Sequence, residues 1–312
     1  MLQYLYKEGS TGITLTCDEA TIHGLDADHP LAKGEVGNTG VSNSTLEDFE
    51  ETLRGFPPDE NSITLSMGNI VSSIYLGMLS ALAEKQGIPL DKVLGTIQVD
   101  PFFLTSAASV KGTILFMPLE LILRLAIDNI EYCSRHMPKM NWLAVNGYVV
   151  RDSGINAVQE GAFTLAAAFY LIDRVLERGL EIDQFAPRAA FLNSCHIDFF
   201  EEIAKFRAMR RIWSKTLKER YGAKNPRSMW FRVAVQTAGS SYTTQQPLNN
   251  IIRGTTEFLS GVFSGLQSFM IASYDEGLAL PSEESSRMAL SCLLYTSPSP
   301  RDLSTSRMPS SA

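Results

Sequence analysis

The sequence predicts an α/β fold in which helices surround a parallel sheet. Short runs rich in β-branched and apolar residues alternate with longer segments whose apolar residues recur about every 3.6 positions, the pattern of βα units. The chain has 312 residues, 45% of them hydrophobic, which is enough to build one large core. These two observations define the fold class before any motif is considered.

Seven strands are predicted, and a helix candidate follows each of them. The strand candidates are 13–17, 62–66, 93–98, 142–147, 188–193, 230–236 and 267–273. The helix candidates are 45–54, 70–86, 119–136, 158–178, 198–221 and 249–265, with a last one beginning near Ser282. Gly87 and Gly179 stand where helix C-caps belong, while Asp152, Ser153 and Asp198 stand near predicted helix starts.

Seven βα units, preceded by a segment at 2–8 that resembles the end of a helix, predict a (β/α)8 TIM-type barrel. On this interpretation the barrel is truncated at its N-terminus and lacks its first strand. A doubly wound open sheet is the alternative. No GxGxxG or GxxxxGK[ST] turn follows the early strands, so a nucleotide-binding sheet has little support.

Composition excludes several classes of function. A net charge of −7 and the absence of a Lys/Arg stripe disfavour binding to nucleic acid. The four cysteines are widely spaced without a CxxC pair, so neither a zinc ribbon nor a disulfide framework is expected. No membrane span or signal peptide is recognisable. We therefore expect a cytoplasmic protein.

The last residues differ in composition from the rest. From Cys292 onward the sequence becomes rich in Ser and Pro and is expected to be disordered. It resembles translated sequencing-adapter sequence, and the alternative is a natural disordered tail. We therefore divide the chain into an incomplete barrel domain at 1–291 and a tail at 292–312.

In such barrels the active site lies at the C-terminal ends of the strands. Those ends carry mostly neutral hydrogen-bonding groups, and no HExxH, two-histidine-one-carboxylate or GxSxG pattern occurs, so no metal site is predicted. His196 is the best titratable candidate, although a lone histidine there also fits a structural hydrogen-bonding role. The polar residues at these ends are Cys17, Asp18, Ser66, Gln98, Tyr148, Ser194, His196, Gln236, Tyr274, Asp275 and Glu276.

Seven strings in order along the chain resemble the methylmalonyl-CoA and isobutyryl-CoA mutase family. They are DADHPLAKGEVGNTGV (26–41), GTIQ (95–98), MPKMN (137–141), FAPR (185–188), DFFEEIAKFRAMRRIW (198–213), QTAGSSYTTQQPLNNIIR (236–253) and YDEGLALP (274–281). The resemblance is to the large, barrel subunit of these adenosylcobalamin-dependent enzymes. It implies a radical 1,2-rearrangement of an acyl-CoA carbon skeleton, with the difficult chemistry supplied by the cofactor.

The resemblance also implies an arrangement of ligands and partners. The pantetheine arm of coenzyme A would thread the barrel axis, and adenosylcobalamin would cap the C-terminal face. No DxHxxG motif occurs, so the cobalamin would be shared with a separate small cobalamin-binding subunit. Such large subunits pair as homodimers or heterodimers.

Residue roles follow from the same matched strings. Gln98 and Tyr148 match catalytic positions, with the Gln98 amide placed to donate to the thioester carbonyl. Basic side chains at the coenzyme A positions suit phosphate groups. The matched substrate and coenzyme A positions are Thr96, Ile97, Gln98, Lys139, Arg188, Ala189 and Ala190, and the matched cofactor positions are Asp152, Gln236 and Glu276.

Several positions depart from the family pattern. The family's Tyr-His pair reads Tyr148-Val149, Ala234 replaces a second histidine, and a third is missing from 269–272. The arginine that clamps a substrate carboxylate falls in a rewritten segment at 99–113, where Lys111 is the nearest cation. Methylmalonyl-CoA is therefore not the expected substrate. The chain is expected to belong to a mutase of altered substrate range, with a non-catalytic subunit and an unrelated barrel enzyme as the alternatives. We expect the chain as given to be inactive.

Overall fold

Seven parallel strands form one curled sheet in sequential order, as expected for most of a (β/α)8 barrel. The computed structural model describes residues 2–7, 12–66, 69–102 and 118–296. Each strand pairs in parallel with the next one along the chain. The strands are β1 (Gly12–Leu15), β2 (Ser62–Leu65), β3 (Gly95–Gln98), β4 (Met140–Asn146), β5 (Ala189–Cys195), β6 (Val233–Thr237) and β7 (Ser268–Met270). The predicted fold class is confirmed.

Helices connect the strands, and the long ones match the sequence pattern. They are α1 (Leu2–Lys7), α2 (Glu19–Ile22), α3 (Leu46–Thr52), α4 (Asn69–Lys85), α5 (Leu119–His136), α6 (Gly147–Asp152), α7 (Ala157–Glu177), α8 (Ile182–Phe185), α9 (Phe199–Glu219), α10 (Asn249–Phe263) and α11 (Glu283–Thr296). Reciprocal capping by Thr45 with Asp48 and by Asn156 with Gln159 sets the starts of α3 and α7. No helix among the described residues is long and apolar enough to span a membrane.

Some predicted boundaries were wrong. The sixth strand was expected from residue 230, but a 3₁₀ turn at Pro226–Met229 precedes it and β6 begins at Val233. Asp152 was expected near a helix start and is instead the last residue of α6. Helix α11 spans Glu283–Thr296 and so includes the first residues of the tail predicted at 292–312. The rest of the predicted tail lies outside the described residues.

The two faces of the sheet differ in polarity. Alternate residues such as Ile63, Leu65 and Ile97 are fully buried in the core shared with the outer helices. The intervening residues on the concave face include Thr64 and Thr96, and these remain partly accessible. Barrels of this kind usually fill their interior with bulky branched side chains. Here Thr64 and Thr96 make the inner face of β2 and β3 polar and partly open.

Candidate functional site

Gln98 ends β3 on the concave face and has a free donor. Its side-chain oxygen accepts a hydrogen bond from the Ser66 hydroxyl at 3.3 Å, which orients the amide. The Gln98 Nε2 atom is buried and has no hydrogen-bond partner among the described residues. Leaving such a donor unpaired costs about 1–3 kcal/mol, so it marks a place where a ligand oxygen would be stabilising.

Buried Asp100 holds the ends of β3 and β4 together. Its carboxylate accepts hydrogen bonds from the backbone N–H of Asn146 at 2.7 Å and of Phe102 at 2.9 Å. Helix α6 begins at Gly147. A Cβ atom added to Gly147 would lie 2.4 Å from the side-chain nitrogen of Asn193. The close approach requires glycine there, and it brings Tyr148 to the C-terminal edge of the sheet.

Tyr148, Asp152 and Glu276 come together at this edge, around Gly239. A Cβ on Gly239 would lie 3.3 Å from the Tyr148 hydroxyl and 3.1 Å from a Glu276 carboxylate oxygen. Burial, followed by the charges of Asp152 and Glu276, raises the pKa of Tyr148 above its usual value, so the phenol stays protonated. Desolvation, and then Asp152 and Asp275, raise the pKa of Glu276. The result is a cluster of hydrogen-bonding groups with one neutral phenol donor.

A buried carboxylate fixes the turn that faces this cluster. Glu257 on α10 accepts hydrogen bonds from the Ala238 N–H at 2.9 Å and the Ser241 hydroxyl at 2.6 Å. The next residue in the turn, Ser240, donates to Asp152 at 2.8 Å. Burial raises the pKa of Glu257 to about 8. Glu257 thus connects the outer helix layer to the cluster, although sequence reasoning did not single it out.

A second buried network lies behind β5. Glu160 accepts hydrogen bonds from the Asn193 amide at 2.8 Å and the Ser194 N–H at 2.9 Å, and it pairs with Lys205 at 2.7 Å. Lys205 also hydrogen-bonds Glu202, and Arg151 of α6 lies 3.9 Å from Glu160. The sequence predicted a helix at 198–221, and α9 (Phe199–Glu219) confirms it. The ionic residues of this helix anchor α6 and the end of β5.

His196 follows β5 and is partly buried. Its Nδ1 atom has no hydrogen-bond partner among the described residues. Burial, and then the positive charge of Arg151, lower the pKa of His196, so the imidazole is held neutral.

The opposite end of the sheet carries cations. Lys139, Arg188 and Arg232 directly precede β4, β5 and β6, and by strand alternation they stand on the concave side. Burial and then Arg227 lower the pKa of Arg188, and burial followed by Arg188 and Arg227 lower that of Arg232. Within the described parts of the chain, none of these four cations has a carboxylate within ion-pair distance.

Arg227 and Arg232 were not among the residues that the sequence analysis assigned to the site. Arg232 also donates to the Asn141 side-chain oxygen at 2.7 Å, and the Asn141 amide reaches the Thr96 hydroxyl at 3.4 Å. The basic entrance is therefore continuous with the polar inner face. Such a group of unpaired cations is a site for an anion.

A family model described as methylmalonyl-CoA mutase matches residues 1–296. The chain belongs to this mutase family. It is 39% identical over 288 residues to the 2-hydroxyisobutanoyl-CoA mutase large subunit of Aquincola tertiaricarbonis, covering 92% of the chain and 50% of that relative. It is 37% identical over 283 residues to the mitochondrial methylmalonyl-CoA mutase of Homo sapiens, covering 91% of the chain and 37% of that relative. The chain thus spans half or less of the length of these relatives.

The departures from the mutase family pattern lie on the concave face and beside it. Ala234 faces inward on β6 and pairs in register with Leu192, while Leu143 pairs with Ala190. Neither leucine belongs to the core shared with the outer helices. An apolar patch therefore crosses β4–β6 inside the otherwise polar barrel. Lys111 lies outside the described residues.

The predicted mutase residues separate into two groups along the barrel. Gln98, Tyr148, Asp152, Gln236 and Glu276 lie at or just beyond the C-terminal strand ends. The second group lies at the strand starts and comprises Lys139, Arg188, Ala189 and Ala190. Thr96 and Ile97 lie on β3 between these levels, with Ile97 facing the outer core.

Proposed function

We propose that the chain is the acyl-CoA-binding barrel of a cobalamin-dependent acyl-CoA mutase, an isomerase that catalyses a radical 1,2-rearrangement of the acyl carbon skeleton. One observation carries the proposal. The partly open polar inner face joins a basic entrance at the strand starts to a hydrogen-bonding cluster at the strand ends. An acyl-CoA carries matching groups in the same order: a phosphorylated end, a long polar arm and a thioester.

The inner face accounts for binding of the thioester end. The unpaired Gln98 amide would donate to the thioester carbonyl. Thr96 would contact the pantetheine arm directly, and Ile97 would contribute through the backbone because its side chain faces the core. Tyr148, whose pKa is raised by burial, would stay a neutral donor above the acyl group.

The entrance accounts for binding of the phosphorylated end. Arg188 and Lys139 would bind the phosphates of coenzyme A, with Arg232 supporting them from the next strand. Ala189 and Ala190 start β5 beside them, and the small Ala190 side chain leaves the inner face open. An anion would also offset the burial and the neighbouring positive charges that lower the pKa of Arg188 and Arg232.

The C-terminal edge fits a polar ring system such as a corrin. Adenosylcobalamin, when bound, would supply the radical. Asp152, Gln236 and Glu276 would hydrogen-bond the cofactor's amide and ribose groups, and the absence of a side chain at Gly239 lets Tyr148 and Glu276 lie close to the 238–241 turn. The Glu257 carboxylate keeps the 238–241 turn in place beneath it.

Partner chains follow from the relatives. The Aquincola tertiaricarbonis relative is named a large subunit. We propose that this chain likewise works with a small cobalamin-binding subunit, as part of a homodimer or heterodimer of large subunits. Its four cysteines form no disulfide bond within the described residues, which fits a reducing compartment that we take to be the cytoplasm.

The substrate is proposed to be a hydrocarbon acyl-CoA rather than methylmalonyl-CoA. The apolar patch formed by Leu143, Ala190, Leu192 and Ala234 suits a branched alkyl group better than a carboxylate. Lys111, the nearest cation to the rewritten segment, would be a flexible substitute for a bidentate arginine.

Binding of coenzyme A provides the first test. Arg188→Ala should weaken coenzyme A binding, measured by isothermal titration calorimetry, by about 1.5–3 kcal/mol if a charge-assisted phosphate contact is lost. Arg211→Ala, on the exposed side of α9, is the matched control and should leave the affinity unchanged. Equal affinities for all three proteins would reject the coenzyme A role of Arg188.

A non-catalytic subunit is the second candidate, favoured by Val149 and Ala234 at positions where the family pattern has histidines. The discriminating experiment uses the full-length parent with its small subunit and adenosylcobalamin. A catalytic subunit should give an electron paramagnetic resonance signal that depends on a branched acyl-CoA. Silence across a series of branched acyl-CoAs, with coenzyme A binding retained, would favour the non-catalytic subunit.

A further inference from the structure

Helix α9 presents an apolar ridge to solvent along its outer face. Phe200 is 82% exposed and Ile212 is 48% exposed, and the exposed Ala204 and Ala208 lie between them at intervals of four residues. Residues four apart form one continuous ridge on the surface of a helix. Large apolar side chains are mostly buried in folded proteins, so this ridge indicates a surface that another chain covers.

The neighbouring helix α7 extends this apolar surface. The two helices pack closely at Gly161 of α7, where an added Cβ would lie 3.3 Å from the Met209 side chain of α9. Phe163 and Tyr170 of α7 are exposed, and every exposed residue in the 157–170 segment is uncharged. An uncharged face that covers two helices is larger than the scattered apolar residues of an ordinary monomer surface.

Two exposed residues of opposite charge, Glu201 and Arg211, flank the ridge on α9. Neither has an oppositely charged group within ion-pair distance in the part of the chain that the structure describes. They lie at equal distances from Phe206, the midpoint of the ridge, and so do Phe200 and Ile212. Equivalent positions on the two sides of the midpoint therefore carry large apolar groups in one case and opposite charges in the other.

A helix face with this symmetry is complementary to a second copy of itself. Two helices related by a two-fold axis at their midpoints run antiparallel, so each residue meets the residue at the equivalent position beyond the midpoint of the other copy. Phe200 of each copy then lies at the level of Ile212 of the other, with the small alanines between them at the centre. Glu201 of each copy lies at the level of Arg211 of the other. The contact would have an apolar centre and charged pairs at its edge, as stable interfaces do.

We infer that the chain pairs with a second copy of itself through α9, in an antiparallel two-fold contact that α7 widens. The inference rests on the part of the proposed function that assigns the chain to a dimer of large subunits. It selects the homodimer over the heterodimer and names the interface. Helix α9 belongs to the outer layer, so the pairing leaves the inner face and both ends of the barrel free for ligands.

Sedimentation velocity over a concentration series tests the contact by charge reversal. The unsubstituted chain should sediment as a dimer at high concentration. Glu201→Arg and Arg211→Glu each place two like-charged pairs in the contact, so each should raise the dimer dissociation constant about tenfold or more. An equimolar mixture of these two variants should dimerise like the unsubstituted chain, because both contacts between unlike copies again join opposite charges. Lys92→Glu, an exposed charge reversal outside α7 and α9, is the matched control and should leave dimerisation unchanged.

A truncation on the ridge tests its apolar part. Phe200→Ala should also raise the dimer dissociation constant about tenfold or more, since the two-fold axis removes the ring from two places in one interface. Because all the substituted side chains are exposed, circular dichroism should show unchanged folding in these variants.

Titration of the same proteins with coenzyme A separates this inference from the proposed function. The self-contact is rejected by a monomer at every concentration, by a dimer that none of these variants weakens, by a mixture that does not restore dimerisation, or by pairing only with a different chain. In each of these cases, coenzyme A binding would leave the acyl-CoA-binding role in place. A dimer that responds to the charge reversals but binds no coenzyme A would keep the contact and reject that role.

Discussion

Replacing Lys205 with methionine should strongly destabilise the chain. The ammonium group lies 2.7 Å from Glu160 and 2.7 Å from the Ser194 carbonyl, and it also hydrogen-bonds Glu202. Its side chain is 3% exposed, and both glutamates are fully buried. Methionine fills a similar volume but leaves two buried carboxylates with only Arg151, 3.9 Å and 3.8 Å away, as a cation. Removing one partner of such a network costs about 3–5 kcal/mol.

The size of this loss should depend on pH. Burial lowers the pKa of Lys205, but the attraction of Glu160 and Glu202 outweighs it and leaves the pKa raised. In Lys205→Met that attraction is lost, so the pKa of Glu202, which burial already raises above its usual value, should rise further. Such groups contribute stability below the unfolded pKa, near 4.3, and lose it as the pH rises through the folded pKa. The deficit should therefore be small near pH 5 and largest near pH 8.

Urea unfolding followed by tryptophan fluorescence at the two pH values measures the deficit. Lys215→Met, on the exposed side of the same helix, should change stability by less than about 0.5 kcal/mol. The triple variant Glu160→Gln, Glu202→Gln, Lys205→Met should recover much of the loss because it removes the buried charges together. Equal stabilities for the Lys205 and Lys215 variants, or a Lys205 deficit independent of pH, would refute the reasoning.

The remaining predictions concern glycine, carboxyl and thiol groups. Gly95→Ala should lower the free energy of unfolding by about 1–3 kcal/mol, because the new Cβ would lie 2.2 Å from the Ile63 carbonyl oxygen. Gly77→Ala is the control, since a Cβ there would meet open space on α4, and it should raise the free energy of unfolding by up to about 1 kcal/mol in the same urea assay. Because burial raises the pKa of Glu257 to about 8, the stability that its protonated form contributes should be lost as the pH rises from about 4.3 to 8. Glu257→Gln should flatten this pH dependence in thermal melts, and an unchanged profile would contradict the reasoning. Iodoacetamide should label Cys292 before the buried cysteines, as peptide mass spectrometry would show, because burial raises the pKa to about 12 for Cys17, Cys133 and Cys195.

Local sequence signals account for most of the fold. The strand candidates 62–66 and 93–98 contain the observed β2 and β3 because β-branched runs between turn residues are local features. The start of β6 was missed for a non-local reason. The 3₁₀ turn before it depends on hydrogen bonds from Ser228 to Asp183, which is 45 residues earlier in the chain. No pattern within the segment itself encodes that contact.

The sequence predicted those site residues that lie at the C-terminal ends of predicted strands. Reading those ends located Gln98 and Tyr148 at one edge. Arg232 was not selected, whereas Lys139 and Arg188, which also directly precede strands, were selected only through the family resemblance. A cation that directly precedes a strand, and that by alternation lies on the same side as the strand's inward-facing residues, is a pattern that could have identified Arg232. Lys205 and Glu202 gave no such signal, because an i, i+3 charge pair on a helix usually faces solvent.

The division between the two faces of the sheet explains how a barrel can be stable without a filled interior. Its buried apolar residues, including Trp142, Phe191 and Ile97, face the outer helices. The inner face retains Thr96 and an unsatisfied Gln98 donor, an arrangement that costs stability unless a ligand completes it. The free energy of folding therefore comes mainly from the contacts between the sheet and the outer helices. The residues of the inner face contribute less to folding and can vary according to the ligand that they bind. Substitutions on the inner face should consequently alter ligand affinity more than stability.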